Sequence, residues 1–307
     1  KWGYFPAFSA AWRLGEEEFI KNLNIFSDLK VRLGYGMAGN NRIDSYLSLA
    51  VLESVTYPNG DSTQPGYVSK QIPNPDLKWE ANKTFNFGLD FGFFNNKLTG
   101  AMNYYYNQTE ELLITKALPP SAGLNNPILN VGKIRNSGVE VEINWADSKG
   151  GFDYNIGMNF STTKNKVVEL ADKGQVLYGE GLKYGTEHFP TQTRVGKPIG
   201  AFYLYKTNGL FQSNEEARQY VNADGDEYQP FADAGDIRYV DVNGDGYIDD
   251  DDKVYCGSGI PTLEVNLNFS AGYKGFDLSV VLGSAWGHKI YNGNKYFYEG
   301  MNSGSNF

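Results

Sequence analysis

Residues 85–91 and 139–145 carry a large apolar side chain at every second position, and this alternation limits the chain to strands with one oily and one hydrated face. In the first run Phe85, Phe87, Leu89 and Phe91 point one way, and Thr84, Asn86, Gly88 and Asp90 the other. In the second, Val139, Val141, Ile143 and Trp145 alternate with Glu140, Glu142 and Asn144. The same pattern recurs along the chain, with a polar face rich in Asn, Glu and Asp. A soluble barrel turns its oily face inward. A face this wet suits a water-filled interior with lipid outside.

The 307 residues could fill one large domain or two ordinary ones. Aromatic content is high at 15%, and 36 glycines with many asparagines favour turns and strands over helices. No stretch reaches the roughly 18 uninterrupted apolar residues of a membrane helix, but a barrel strand needs only about 9–11, half of them polar. The single Cys256 excludes a disulfide framework within the chain. The chain opens in a structured-looking segment, Lys1-Trp2-Gly3-Tyr4, with no signal peptide, and stops in what reads as a loop, 303–307. Phe307 follows no alternating strand, so its terminal aromatic carries no weight. The expectation is an internal piece of a longer polypeptide, with both true termini absent.

Four hairpins can be traced. The first joins about Tyr4–Trp12 to Leu29–Gly36, with Pro6 marking an irregular start and a helical turn expected between Arg13 and Asp28. The second joins Trp79–Phe93 to Leu98–Asn107 through a two-residue turn at Asn95-Asn96. The third joins Ser137–Ala146 to Phe152–Ser161 through Ser148-Lys149-Gly150-Gly151, and the fourth joins Thr262–Tyr273 to Phe276–Gly283 through Lys274-Gly275. The connections between hairpins, 37–78, 108–136 and 162–261, are long, which is unusual in compact soluble domains. Short turns on one rim and long loops on the other is the layout of an outer-membrane barrel, and Trp12, Trp79, Tyr104, Trp145 and Tyr273 would form its interfacial girdles. Within the longest loop, Ser213 and Glu216 fit a helix start, with the helix running to about Val221.

The net charge of −9 is concentrated in one place. Between Asn222 and Asp252 lie 11 acids and one base, Arg238, while the rest of the chain holds 25 acids and 26 bases. No basic patch argues for nucleic acid. The dodecamer Asp241–Asp252 has the spacing of a calcium loop. Asp241, Asn243 and Asp245 fall at positions 1, 3 and 5, Gly246 at the sharp turn, the Tyr247 carbonyl at 7, Asp249 at 9 and Asp252 at 12. A tight turn brings every second oxygen onto one centre, where a hard cation offsets their repulsion. Asp at position 12 has a shorter arm than the usual Glu, so Mg²⁺ competes with Ca²⁺. The bland alternative is an Asp/Asn/Gly turn without metal. Ile237–Val240 reads as a strand rather than a flanking helix, so the expected role is a static clip.

Enzyme chemistry is missing. His188 and His288 are the only histidines, without a second ligand at zinc spacing, and no nucleophile or P-loop signature appears. Glu140 and Glu142 share a strand face but read as solvated wall residues rather than a glycosidase pair. The expectation is a protein that is not an enzyme.

Lys1-Trp2-Gly3-Tyr4-Phe5-Pro6, Ser9–Arg13, Leu29–Gly36 with Gly39-Asn40, Asn74–Glu80, Gly196–Tyr203, Gly235–Asp241 running into the dodecamer, Tyr273–Leu278 and Gly287–Gly293 resemble the SusC/RagA-type TonB-dependent outer-membrane transporters. These motifs cover the chain end to end in the family's order. The resemblance implies an all-β fold: about eight strands of a transmembrane antiparallel barrel that is 22-stranded and plugged. Residues 1–307 would be part of one barrel domain, with 162–261 a long extracellular loop insert carrying the acidic motif and the plug lying outside the chain. It implies energised import of large nutrients, glycan oligosaccharides or peptides, across the outer membrane of a Gram-negative bacterium. The implied partners are a SusD-type surface lipoprotein over the long loops, the TonB complex through the missing N-terminal part, and outer-membrane lipid. Substrate contacts are not readable, although Tyr57, Tyr67, Tyr178, Tyr184 and Phe189 are loop aromatics able to stack on sugars. Two alternatives stay open: a secreted calcium-stabilised β-sandwich that binds glycans, and a passive porin.

Overall fold

The computed structural model of the chain describes residues 2–41, 48–69, 72–116, 118, 120–179, 181–184 and 186–298. The expected terminal loop 303–307 and Lys1 lie outside the described residues, as do the side chains of Tyr184 and His188. The chain divides into two units, the first comprising Lys1–Gln175, Arg194–Ile199 and Ile260–His288, the second Val176–Thr193, Gly200–Gly259 and Lys289–Phe307.

The first unit is built on a nine-stranded antiparallel sheet. Its strands are β1 (Ala7–Trp12), β2 (Phe26–Asn40), β3 (Glu80–Phe93), β4 (Leu98–Thr115), β5 (Ile128–Lys149), β6 (Phe152–Thr162), β7 (Lys164–Glu169), β8 (Leu263–Tyr273) and β9 (Phe276–Trp286). Pairing runs β1-β2-β3-β4-β5-β6-β8-β9, with β7 beside the far end of β5, and the sheet does not close on itself. Each described strand pairs with a near sequence neighbour, as hairpins require.

Register carries the alternation intact across the sheet. Trp12, Val31, Leu89, Met102, Val141, Phe160 and Val265 lie in one row. Ala11, Arg32, Gly88, Asn103, Glu140, Ser161 and Glu264 form the row beside it on the opposite face. The apolar face is open rather than packed: Phe87 is 45% exposed and Ile156 47%. Among the described residues of these strands, only Leu29 and Val167 are buried apolar side chains. A soluble sandwich would cover that face with a second sheet. Here no second layer covers it among the described residues.

Of the short turns, Lys274-Gly275 is as expected, the one after β5 is tighter and the one after β3 wider. Gly150-Gly151 alone joins β5 to β6, with φ of +62° and +78°, and Lys274-Gly275 joins β8 to β9 with +48° and +85°. Both pairs suit a two-residue turn with positive φ at each position. The β3–β4 link is wider than the two-residue turn anticipated: Phe93 pairs with Leu98, and Phe94, Asn95 and Asn96 all have positive φ.

The expected loop 108–136 is mostly strand. β4 continues to Thr115 and β5 begins at Ile128, leaving only 116–127 between them. A bulge between Thr109 and Leu113, with Glu111 at φ +56°, breaks the alternation there and hides the strand from periodicity. The connection 37–78 contains its own hairpin, Leu52–Asn59 with Ser62–Ser69. At the β6–β7 junction, a Cβ on Gly138 would lie 1.8 Å from the Thr162 carbonyl oxygen, so glycine is what lets the two backbones meet. That carbonyl accepts from the Tyr105 hydroxyl at 3.1 Å.

In the second unit, a four-stranded sheet runs Leu177–Tyr178, Thr191–Thr193, Ala201–Tyr205 and Lys253–Gly257. A two-stranded ribbon pairs Thr207–Leu210 with Ile237–Tyr239, the strand read from the sequence. Phe211, Ala217 and Ala232 form a small core with Tyr220 against it. The Ser213 hydroxyl accepts from the Glu216 amide at 3.2 Å, starting a helix as expected. The helix spans Asn214–Arg218 and stops short of Val221. Tyr220 turns inward onto Phe211, and Val221 bridges to Glu227 instead.

Candidate functional site

The acidic dodecamer lies between two strands of the second unit, Ile237–Tyr239 before it and Lys253–Gly257 after it. Within it the short side chains bend back onto the backbone, as Asp and Asn do in turns. Asp241 accepts from the amides of Gly244 (2.6 Å) and Gly246 (2.9 Å). Asn243 accepts from the Asp245 amide at 3.0 Å, and Asp245 from the Tyr247 amide at 3.0 Å. Gly246 has φ +92°, the sharp turn that glycine at this position supplies.

Asp252 closes the loop. It is fully buried and accepts from the Val242 amide at 2.7 Å and the Asp249 amide at 2.8 Å, with a longer contact of 3.4 Å from Asn243. One carboxylate thus ties the first turn of the dodecamer to its last. Asp249 accepts from Asp251 at 2.8 Å and caps the short 3₁₀ turn Asp250–Asp252. The Tyr247 ring is 65% exposed. Among the described residues, no three His, Cys, Asp or Glu side chains converge as a metal-ligand group. The carboxylates of Asp241, Asp249 and Asp252 face backbone amides.

Two residues outside the dodecamer hold it in place. The Asn222 side-chain amide donates to the Gly246 carbonyl at 3.1 Å, while its oxygen accepts from Asp224 and Asp226. The Tyr228 hydroxyl donates a hydrogen bond to the Asp241 carboxylate. Calcium-loop spacing is blind to both. The signal available for Asn222 is its Asn-x-Asp-Gly-Asp context, an Asx-turn composition. Beside the loop, burial and then the Asp250 charge push the Tyr205 hydroxyl up to about 12. Tyr205 therefore stays a neutral donor to Asp250, at 3.2 Å.

Burial alone would raise the Asp241 carboxyl, but the amides of Gly246 and Gly244 and the Tyr228 hydroxyl outweigh it and hold it below the ordinary Asp range. A depressed folded value adds stability that is complete above the unfolded value near 3.8 and is lost as pH falls through the folded one. Acidification below about pH 4 is therefore expected to open this loop. Protease cleavage within 241–252, measured from pH 6 down to 2.5 with an acid-tolerant protease, should rise only in the acid limb.

On the polar face of the large sheet, Arg32 donates to both oxygens of Asp90, at 2.8 and 2.6 Å, and to Asn103 at 2.9 Å. A Cβ on Gly88 would lie 2.9 Å from the Arg32 guanidinium carbon, so glycine leaves the arginine room to cross the sheet. Ser9, Ala11, Arg32, Asn86, Gly88 and Asn103 line a depression of about 370 Å³ on this face. Of the loop aromatics, Tyr57 and Tyr67 are exposed on the 52–69 hairpin, whereas Tyr178 packs on Phe189 at 5.4 Å.

Comparison with known proteins gives one family. The model of the TonB dependent receptor-like β-barrel matches residues 1–303. TonB-dependent receptor P3 of Formosa agariphila is 31% identical over 293 residues, which is 95% of this chain and 29% of that protein. TonB-dependent receptor SusC of Bacteroides thetaiotaomicron is 30% identical over 305 residues, 95% of this chain and 28% of that protein. In fold, the RagAB peptide importer in its open-open state superposes with a TM-score of 0.75 at 22% identity, over 98% of this chain and 31% of that one. The chain spans just under a third of the relatives it matches.

Proposed function

This chain belongs to the TonB-dependent receptor-like β-barrel family, an outer-membrane family whose named relatives are receptors, and on that premise we propose that it is wall and loop of an energised nutrient importer. The observation that carries the reading is the two-faced sheet. Its apolar face is open in register across the strands while Arg32, Asp90, Asn103, Glu140 and Glu142 line the other. From Phe85 to Phe93 the apolar run covers about 27 Å at about 3.4 Å per residue, or about 21 Å for a strand tilted by about 40°. That height approaches the roughly 25 Å apolar band of outer-membrane barrels. Trp145, Phe152, Tyr154 and Tyr273 gather at the short-turn rim, with Phe152 5.7 Å from Tyr154 and 6.3 Å from Tyr273. No described helix is long and apolar enough to span a membrane, so crossing falls to the strands.

In this reading the free edges of β1 and β9 pair with further strands of a larger barrel, and a plug fills the lumen. The cargo is a glycan oligosaccharide or a peptide, handed over by a SusD-type surface lipoprotein, with energy from the TonB complex. The protein sits in the outer membrane of a Gram-negative bacterium. Uptake of labelled oligosaccharides and peptides by cells with and without the full-length gene tests this. Import that needs the gene and stops with an uncoupler supports it. Gene-dependent uptake that ignores the uncoupler would make the protein a passive porin.

For the acidic loop, we propose a structural divalent cation, Ca²⁺ or Mg²⁺, held by Asp241, Asn243, Asp245, the Tyr247 carbonyl, Asp249 and Asp252. The support is an all-oxygen donor set at calcium-loop spacing around a wholly buried Asp252. Chelation is expected to speed protease cleavage of 241–252, and Asp241→Ala to abolish that response. Equal cleavage with and without chelator would remove the cation from the proposal.

A further inference from the structure

The apolar face changes character at its upper end. Its rows climb from Phe93, Leu98 and Trp145 to Phe85, Tyr106 and Ser137, and the next row is Lys83, Gln108, Arg135 and Lys166. Lys164 lies beside Ser137, one row lower. Cations thus sit on the same face as the exposed apolar band and directly above it.

Some of these charges are already matched. Lys83 is bound to Glu110 at 2.5 Å, and Lys133 to Glu169 at 3.4 Å. Arg135 has a different environment. One of its terminal nitrogens donates to the Gln108 carbonyl oxygen at 3.3 Å, and the guanidinium lies 5.1 Å over the Tyr106 ring. Its Nε is buried and has no hydrogen-bond partner. Lys164 and Lys166 are exposed. Arg135, Lys164 and Lys166 lie on two adjacent strands, about 5 Å apart, and none of them pairs with a carboxylate among the described residues.

We propose that Arg135, Lys164 and Lys166 hold the phosphate of an anionic lipid headgroup in the leaflet beside the long loops, an inference that rests on the membrane reading above. Whatever covers the apolar band continues upward to this triad, and in a membrane that neighbour is a headgroup. A phosphate brings several acceptor oxygens for the guanidinium fork and two mobile ammonium groups, which act as point charges. Tyr106 sits at the headgroup level where amphipathic rings collect, and its hydroxyl donates to Gln108 at 3.0 Å, bracing the amide that Arg135 leans on. The acids on this face nearest the triad, Glu110 and Glu169, are engaged by Lys83 and Lys133, so they repel the phosphate little.

Native mass spectrometry of the full-length protein in mild detergent provides the test, with diphosphoryl lipid A and its dephosphorylated form as probes. The triple variant Arg135→Gln, Lys164→Gln, Lys166→Gln is expected to bind the phosphorylated probe at least about tenfold more weakly, each basic residue near an anionic surface being worth about a factor of five. Lys149→Gln with Lys274→Gln, at the short-turn rim, is expected to leave binding unchanged. Equal affinity of wild type and triple variant for the phosphorylated probe overturns the proposal, as does equal affinity of wild type for the two probes. A wild-type protein that stays soluble without detergent overturns the membrane reading itself, a result independent of the lipid counts.

Discussion

Met158→Arg is expected to destabilise the folded wall by about 2–4 kcal/mol, whereas Asn159→Arg, one residue along, changes it by less than about 1 kcal/mol. The two side chains leave the same strand toward opposite faces. Met158 is in a row with Ile143, Leu267 and Leu282, in the middle of the apolar band. Arginine there must either sit in hydrocarbon or stretch toward a headgroup, and it cannot reach water without distorting the strand. Asn159 is in a row with Glu142, Asn266 and Gly283, and it is exposed on the hydrated face. Arginine there meets water and a carboxylate. Urea unfolding of the full-length protein in lipid vesicles, followed by tryptophan fluorescence and heat-modifiable migration, measures both variants. Equal cost at the two positions would mean that both faces meet the same solvent, and the lipid-facing assignment would fail.

The strands that the sequence shows best are those whose two faces differ in chemistry, one apolar and one polar. On the membrane reading, Phe85 to Phe91 and Val139 to Trp145 alternate because lipid-facing and water-facing positions select opposite chemistry, and their register follows. The pattern fails where that contrast ends. Beyond Gln108 the upper half of β4 leaves the apolar band, and both faces become polar or mixed at Thr109-Glu110-Glu111. The bulge there also shifts the phase, so Leu112 to Thr115 no longer continue the alternation. Tyr104 shows a related limit: the register puts it one row inside the band, and Tyr106 occupies the upper edge. Aromatic composition marks a girdle, but only pairing places each ring.

The acidic loop was legible for another reason. Positions 1, 3, 5 and 12 are set by local turn geometry, so spacing alone brings Asp241, Asn243, Asp245 and Asp252 to attention. The contacts of Asn222 and Tyr228 span about 24 and 13 residues and depend on how the second unit packs, which no local pattern encodes. Likewise, the basic triad joins Arg135 to Lys164 and Lys166 only through strand pairing across a glycine junction at Gly138.

Asp252→Ala is expected to open the acidic loop at least about 100-fold more often than in the wild type. The wild-type carboxylate is fully buried and accepts from three backbone amides, those of Val242, Asn243 and Asp249. Alanine leaves at least two of these part-buried amides without an acceptor, at about 1–3 kcal/mol each, and about 3 kcal/mol corresponds to a little over 100-fold in the open population. The carboxylate also supplies the only side-chain tie between the first and last turns of the dodecamer among the described contacts, so the loss is not made good nearby. Asp251→Ala is the matched control. That residue is exposed, its backbone amide serves Asp249, and its side chain makes no described contact, so an effect within about 0.5 kcal/mol is expected. Cleavage of 241–252 under conditions where proteolysis follows the open population reads both variants. The Asp252→Ala effect should persist in chelator, because the orphaned amides remain whether or not a cation is bound. Equal cleavage of the two variants would show that loop closure depends on summed negative charge instead of this one buried carboxylate.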